Sequence, residues 1–466
     1  MNPSQPSLQD SLRPYAGRWV ALVDGRFVAQ GGTPEQALQA ARLIRSKERI
    51  TLRYIPMHNT LPFPPLLHRI VQVLPDDVTM YLVGGAVRDA LRGRTSHDLD
   101  FAVQGNARAM ARRVADALGA AYYPLHDDID AGRMVLQEDD QRFMVDFVGL
   151  HPQGLEADLR ARDFTINAIA VDVRAPQQLL DPLGGAAALR QGELRACAST
   201  SVLDDPVRLL RAIRLAASLG LRISPDTRKQ MRAAVPLLAR VSPERIRFEL
   251  MRILGGVQPA TSLRALDMLG ALAAVLPETA ALKGVVQSPP HVYPVWEHTL
   301  AVVERLDALL NALGPDYDAD TSANNLVLGH AVLRLGRYRQ RLSEHLSVEL
   351  TPDVSRRALL FLAAVYHDIA KPQTRSVDSD GRIRFFGHEE QGASIVGRRM
   401  RALHMSGEEI GIVKRIVKNH MRPLLLGYDK AMPSRRAVYR LFRQTGDAGV
   451  DVCVLSLADF LGTYGP

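Results

Sequence analysis

Two aspartates stand two residues apart in His97-Asp98-Leu99-Asp100-Phe101. Residues so spaced on a strand project from one face, which predicts that Asp98 and Asp100 present paired carboxylates. Two such charges repel unless a cation lies between them. Mg2+ bound by one or two carboxylates plus substrate phosphates meets that demand. Upstream, Tyr81-Leu-Val-Gly-Gly-Ala-Val-Arg-Asp89 sets Gly84 and Gly85 between an apolar run and a helical pattern. Backbone N–H groups of a Gly-Gly turn can approach a triphosphate closely, and Arg88, one turn on, can reach a phosphate oxygen. Asp146, in Phe143-Met-Val-Asp-Phe147, is a candidate third carboxylate, with a purely structural role as the alternative.

Two arginine-rich segments follow. Asp158-Leu-Arg-Ala-Arg-Asp-Phe-Thr-Ile-Asn167 offers Arg160 and Arg162 to a triphosphate or an RNA backbone. Asp163 is placed to orient Arg162, and Asn167 to bond a sugar or hold a loop. Asp204-Asp-Pro-Val-Arg-Leu-Leu-Arg-Ala-Ile-Arg214 spaces Asp205, Arg208, Arg211 and Arg214 every three residues. Successive members are neighbours on a helix, and Leu209, Ala212, Ile213 and Ala216 remain for the core. The plain alternative is a helix capped by Asp204 or Asp205, with Pro206 at its first position. A second constellation lies further on: His298, the adjacent His367 and Asp368 in Val365-Tyr-His-Asp-Ile-Ala-Lys371, His388, His420 and Asp459. Imidazole and carboxylate together suit Mg2+ or a divalent transition metal. His330, His345 and His404 fall outside this set and read as surface or packing residues.

The elements that must position these groups are legible in outline. Trp19–Val28 alternates about Asp24-Gly25, the signature of a hairpin, and Thr33-Pro34-Glu35-Gln36 opens a helix. Met57–Pro65 is a proline-rich linker. Strands are predicted at Val78–Val83, Leu99–Val103, Arg133–Leu136, Arg142–Val148 and Ile166–Val173. Helices are predicted from the Gly-Gly turn through Leu91 and over Ala107–Leu118, with Gly119 as the stop. That alternation makes an α/β domain with a mixed sheet. The pattern then turns helical: Val207–Ser218 before Gly220, Pro243–Leu254, Val295–Leu313, Ser355–Ile369, His388–Leu403 and Gly407–His420. The divisions drawn from this are a small N-terminal α+β accessory unit with its linker at 1–58, an α/β domain with a mixed sheet at 59–195, a helical region at 196–285, and an all-α domain at 286–466.

The 466 residues carry a net charge of +8, and a basic surface suits a phosphate-rich partner. Apolar runs fall short of the roughly 18 residues of a membrane span, so no membrane partner is expected. Met1–Leu12 is polar and lacks the apolar stretch of a signal peptide. The two cysteines, Cys197 and Cys453, lie far apart, which argues for a reducing, cytoplasmic setting rather than a disulfide framework.

Taken in order, the segments from about residue 78 to 255 resemble the class II tRNA nucleotidyltransferases, which include CCA-adding enzymes and bacterial poly(A) polymerases. The resemblance implies a polymerase-β-like head and addition of C and A residues from CTP and ATP to the 3′ end of tRNA by two-metal phosphoryl transfer. It assigns the catalytic Mg2+ pair to Asp98 and Asp100, the nucleotide loop to Gly85 and Arg88, and a nucleotide contact to Arg162. It gives base reading to Asp205 and Arg208, triphosphate contacts to Arg211 and Arg214, and support of the neck to Ser242-Pro-Glu-Arg-Ile-Arg247. The chain departs from the family where Asp204-Asp205 replaces the usual Glu-Asp. It departs again in its short connection between the strand at Arg142–Val148 and Asp158, where complete CCA-adding enzymes have a longer flexible loop. The short form resembles members that add only CC; addition of A alone and poly(A) synthesis are alternatives. The histidine and aspartate series resembles the HD phosphohydrolase superfamily, which implies a metal site of His298, His367, Asp368, His388, His420 and Asp459 holding Mg2+, Mn2+, Ni2+ or Fe2+. A metal-dependent phosphohydrolase whose head only binds RNA is the rival of another class, and the intact Asp98–Asp100 pair argues against it.

Overall fold

The computed structural model describes residues 18–23, 26–31, 34–45, 50–55, 61–125, 129–138, 141–314, 326–351, 353–427 and 432–464, with Tyr15 and Glu48 besides. The chain divides into two compact units, residues 1–198 and 199–466.

The first unit opens with an antiparallel sheet of β1 (Arg18–Val23), β2 (Arg26–Gly31) and β3 (Thr51–Ile55) in the order β2-β1-β3. Helix α1 (Pro34–Ile44) follows β2. The hairpin strands are as expected; Asp24-Gly25, Thr33 and Met57–Thr60 lie outside the described residues. After α2 (Pro65–Gln72) come β4 (Met80–Val83), α3 (Gly85–Leu91), β5 (Asp98–Val103) and α4 (Ala107–Leu118). Then follow β6 (Ala121–Pro124), β7 (Ala131–Glu138), β8 (Gln141–Gly149) and α5 (Leu155–Ala161). The unit closes with β9 (Ala170–Asp172), β10 (Leu179–Leu180) and α6 (Gly185–Arg190). Among the described residues these strands form one sheet in the order β10-β9-β4-β5-β8-β7-β6. Its β5–β8 pair is parallel, while β4–β5, β4–β9, β7–β8 and β6–β7 are antiparallel, so the sheet is mixed. Leu82, Phe101, Met134 and Phe147 are fully buried beneath it, together with Val114 of α4. Each such apolar side chain stabilises the fold by roughly 1.5–3 kcal/mol relative to exposure.

One expected strand is only partly present. Ile166–Val173 is not continuous: Thr165–Asn167 forms a 3-10 turn, and the strand occupies only Ala170–Asp172. The side chain of Asp163 accepts from the backbone N–H of Phe164 and from Asn167, folding the stretch on itself. A short run that is buried throughout carries no periodicity to separate strand from turn.

The second unit is mainly helical. Helix α7 (Arg208–Leu219) ends at Gly220, and α8 (Pro225–Ala234), α9 (Pro243–Gly255) and α10 (Pro259–Leu269) follow. Next come α11 (Val295–Ala312), shorter helices at Leu326–Leu335 and Arg339–Ser347, and α12 (Arg356–Tyr366). The unit closes with α13 (His388–Ala402), α14 (Gly407–Asn419), α15 (Arg435–Thr445) and α16 (Gly449–Thr463). Leu359 to Tyr366 of α12 are buried on every side, the mark of a central core helix. Among the described residues no helix is long and apolar enough to cross a membrane.

Candidate catalytic and metal sites

Strand β5 enters the sheet at Asp98 and alternates as expected: Asp98 and Asp100 are exposed, and Leu99 and Phe101 buried. Register with β4 sets Val83 opposite Asp100, which brings the following Gly84 to the same end of the sheet. Gly84 has φ +79°, and a Cβ there would lie 3.2 Å from Asp100 Oδ2 and 3.4 Å from an Arg162 guanidinium nitrogen. A side chain would therefore be strained by the backbone and would crowd the carboxylate and the guanidinium at once. Paired hard oxygens at an exposed strand end are the donor set that Mg2+ takes.

The cations here are held from behind. Arg88 donates to both oxygens of Asp89 and, at 2.7 Å, to Asn167 Oδ1. Asn167 in turn donates to the buried Asp163. Arg162 is gripped by Asp158, at 3.2 and 3.3 Å, while the Oδ1 of Asp163 accepts from Phe164 and Asn167. Arg160 is exposed and pairs with Glu156 of the same helix. Asp146 lies opposite Asp100 across the parallel β5–β8 pair. Arg133 grips both its oxygens at 2.7 and 2.8 Å. That hydrogen bond, against the opposing effect of burial, raises the Arg133 pKa, with further help from the charges of Asp146, Asp100 and Asp98. Sequence reasoning missed Arg133, because its partner lies across a hairpin and leaves no spacing signal.

In the second unit Asp205 lies not on a helix with Arg208 but just before α7, in extended backbone. It does not cap α7: the N-cap of that helix is Val207, and no side chain caps its start. Asp205 Oδ2 instead accepts from Arg245 at 2.6 Å and lies 3.7 Å from Arg208. Arg245 comes from Ser242-Pro-Glu-Arg-Ile-Arg247, so this segment grips the proposed base reader directly. Arg211 lines an open cleft of about 600 Å3 with Arg245, Phe248 and His404. Arg214 turns to the buried Glu249 of α9, at 2.7 Å, and joins the two helices.

The second constellation assembles from five helices or helix ends. His298 lies on α11, His367 ends α12 and Asp368 follows it; His388 begins α13, His420 ends α14 and Asp459 lies on α16. A Cβ on Gly462 would stand 2.9 Å from Val302, so the glycine lets α16 approach α11 closely enough to join Asp459 and His298. Their Nε2 to Oδ1 distance is 3.0 Å. The Nδ1 atoms of His367, His388 and His420 each bond a backbone carbonyl three residues back, at 2.7–2.8 Å. Their Nε2 atoms are buried without a hydrogen-bond partner. A carbonyl on Nδ1 sets the tautomer that turns the Nε2 lone pair inward, the arrangement of metal-binding imidazoles. Two groups, His298 with His367 and Asp459, and Asp368 with His388 and His420, each bring their donor atoms within 4.8 Å of one another. Burial and the neighbouring His367 push His420 down to about 4, so its ring is neutral near pH 7. Burial alone would raise Asp368, but His367 and Lys371 hold its carboxyl well below the usual range. Lys371, 2.7 Å from Asp368 and bonded to Gln287, was missed as a site residue although it stands three places after Asp368. Of the three histidines set aside, His345 bonds the buried Asp451, His404 bonds Glu244 and His330 is exposed.

The chain matches the poly A polymerase head domain over residues 80–195, the probable RNA- and SrmB-binding site of polymerase A over 220–283, and the HD domain over 295–459. Residues 10–57 match a family of unknown function. An A-adding tRNA nucleotidyltransferase of Deinococcus radiodurans is 34% identical over 391 residues, covering 83% of this chain and 77% of that protein. A CC-adding tRNA nucleotidyltransferase of Thermus thermophilus is 32% identical, covering 82% and 76%. The structure of a CCA-adding enzyme with ATP superposes with a TM-score of 0.54 at 20% identity, over 84% of this chain and 77% of that one. At that identity the likeness is one of fold. The chain belongs to the tRNA nucleotidyltransferase family, and it is a metal-dependent enzyme with a C-terminal HD domain.

Proposed function

We propose that this enzyme extends the 3′ end of tRNA with nucleotides taken from nucleoside triphosphates, using Mg2+ held by Asp98 and Asp100. The observation that carries this reading is the carboxylate pair at the exposed end of β5, beside Gly84 and the Arg162 guanidinium. Bound there, Mg2+ supplies charge neutralisation for the triphosphate and acidifies the terminal 3′-hydroxyl. The 3′-oxygen forms its bond to the α-phosphorus and pyrophosphate leaves. Arg162, steadied by Asp158, offsets charge that builds on the phosphates; Gly85 lets the triphosphate approach the turn, and Arg88 stiffens that turn through Asn167. Asp205 and Arg208 read the base, and Arg211 contacts the triphosphate. Arg214, paired with Glu249, serves chiefly to hold α7 on α9. The work is that of the compartment where tRNA matures, the cytoplasm.

For the product, the five-residue connection from Leu150 to Gly154 between β8 and α5 supports addition of C residues without the terminal A. In the HD domain, His298, His367, Asp368, His388, His420 and Asp459 are the ligands of Mn2+, Ni2+, Fe2+ or Mg2+, and the activity is phosphoester hydrolysis. Nucleotide incorporation measured on tRNA lacking CCA, tRNA ending in C or CC, and an unstructured RNA tests the reading. Extension of the unstructured RNA by many A residues would make the enzyme a poly(A) polymerase, and addition of A to tRNA ending in CC would overturn the restricted product.

A further inference from the structure

Helix α15 carries a surface that neither the head chemistry nor the HD site uses. Its sequence, Arg435-Arg-Ala-Val-Tyr-Arg-Leu-Phe-Arg-Gln-Thr445, contains four arginines and no acid. Only Leu441 and Thr445, four apart, are buried. Arg435, Tyr439 and Arg443 follow one another at i, i+4 spacing, and Arg436 and Arg440 form a second row beside them. All five are exposed, Tyr439 by 63%. Among the described residues the four guanidinium groups make no hydrogen bond or ion pair. The helix lies outside residues 220–283, the stretch matched to an RNA-binding site.

This arrangement works against the helix that bears it. Arg435 and Arg436 stand in the first turn, where the helix dipole disfavours cations. Arg436 and Arg440 repel at i, i+4. A side-chain cap from Ser434 holds the end despite this. A polyanion lying along the exposed face removes both penalties at once. Guanidinium groups match phosphate oxygens bidentately, and an exposed tyrosine among them offers a flat face to a base or ribose. A helix bound to a lipid surface instead needs a broad apolar face; here Val438 and Phe442 are only 36% and 40% exposed, and the rest of the exposed face is arginine, Tyr439 and Gln444.

We propose that α15 is an RNA-backbone-binding surface of the HD domain, which grips the tRNA substrate away from the end being extended. The proposal rests on the reading of tRNA as substrate. Its test uses the full chain, a tRNA transcript lacking CCA, and binding measured by fluorescence anisotropy over a salt series. Replacing Arg435, Arg436, Arg440 and Arg443 together by Gln is expected to weaken binding by roughly tenfold or more. The slope of log K against log salt should fall by about 0.9 for each phosphate that is no longer neutralised. The KM for tRNA should rise while kcat at saturating tRNA stays unchanged. Tyr439→Ala, which alters no charge, should weaken binding about fivefold or more with the slope preserved, and Tyr439→Phe should restore it. The tyrosine variant keeps the test decisive if the fourfold variant fails to fold. Wild-type affinity and slope in these variants, with normal extension of tRNA by the parent, would overturn the inference alone. Failure of the parent to bind or extend tRNA would overturn the substrate reading and the inference with it. Unchanged tRNA binding, with loss of flotation on phosphatidylserine vesicles or of self-association in sedimentation, would overturn the inference and assign the surface to a membrane or to a second copy of the chain.

Discussion

Asp98 and Asp100 owe their shared exposure to an alternation of one residue, and that exposure is what suits them to the proposed metal role. The same strand that buries Leu99 and Phe101 turns both carboxylates outward, so a change at either alters charge without disturbing the core. Asp98→Asn or Asp100→Asn should lower nucleotide incorporation by about a thousandfold or more, since several kcal/mol of metal-based stabilisation is removed. The melting temperature should hardly move; near-normal incorporation by either folded variant would remove the assignment. Asp205 invites a subtler measurement. A carboxylate only accepts and a guanidinium only donates, so Asp205 with Arg208 matches cytosine and adenine, which set an amine beside an acceptor nitrogen. Uracil and guanine reverse that pattern. Asp205→Ala should therefore relax discrimination against UTP and GTP by roughly tenfold, while Arg211→Ala should weaken all four nucleotides alike. A comparison of kcat/KM for the four nucleotides decides it, and unchanged selectivity in the Asp205 variant would return that residue to a structural role.

Between elements, the informative pair is Arg214 with Glu249. Glu249 is 3% exposed and its carboxylate is met by both Nε and a terminal nitrogen of the guanidinium. Removing one partner leaves a buried charge unpaired. Glu249→Ala should therefore destabilise the second unit by about 3 kcal/mol, whereas Arg214→Met with Glu249→Leu should lose much less. Urea unfolding of the three proteins measures this. A double variant as unstable as the single one would show that the pair contributes more than mutual neutralisation. The pair was only half legible: the arginine triplet announced a helix and its polar stripe, but nothing local ties Arg214 to a residue 35 places on. The same holds for Arg245, which finds Asp205 40 residues away, and for the Asp163–Asn167 turn that interrupts an expected strand.

For the whole molecule, two metal-dependent domains lie on one chain, and the ligands proposed for one share no residue with those proposed for the other. Replacing His367 and Asp368 by Ala should remove any phosphohydrolase activity and leave nucleotide addition within about twofold; a folded, RNA-binding variant that no longer polymerises would contradict this independence. The HD ligands should also couple metal to stability. At a metal concentration about a hundred times Kd the folded state gains roughly 2.7 kcal/mol, so EDTA should lower the melting temperature by a few degrees and added Mn2+ should restore it. In His420→Ala that response should shrink. A wild-type melting curve indifferent to EDTA and Mn2+ would count against metal at these histidines.

What the amino-acid sequence determined by itself was whatever local geometry enforces. A spacing of two on a strand pairs Asp98 with Asp100, a glycine pair before a helical pattern makes the turn, and adjacent His367 and Asp368 mark a candidate metal-binding series. Resemblance of the ordered segments then supplied the family. The tertiary structure alone decided how those groups are held: Arg133 on Asp146, Asp158 on Arg162, Arg245 on Asp205, and three Nδ1 atoms tied to carbonyls so that Nε2 faces inward. It also decided that the arginine rows of α15 stay bare to solvent. The reason is physical. Spacing along a chain fixes direction over one turn or one strand step, while partnership among charged groups depends on which distant segments the burial of apolar side chains brings into reach.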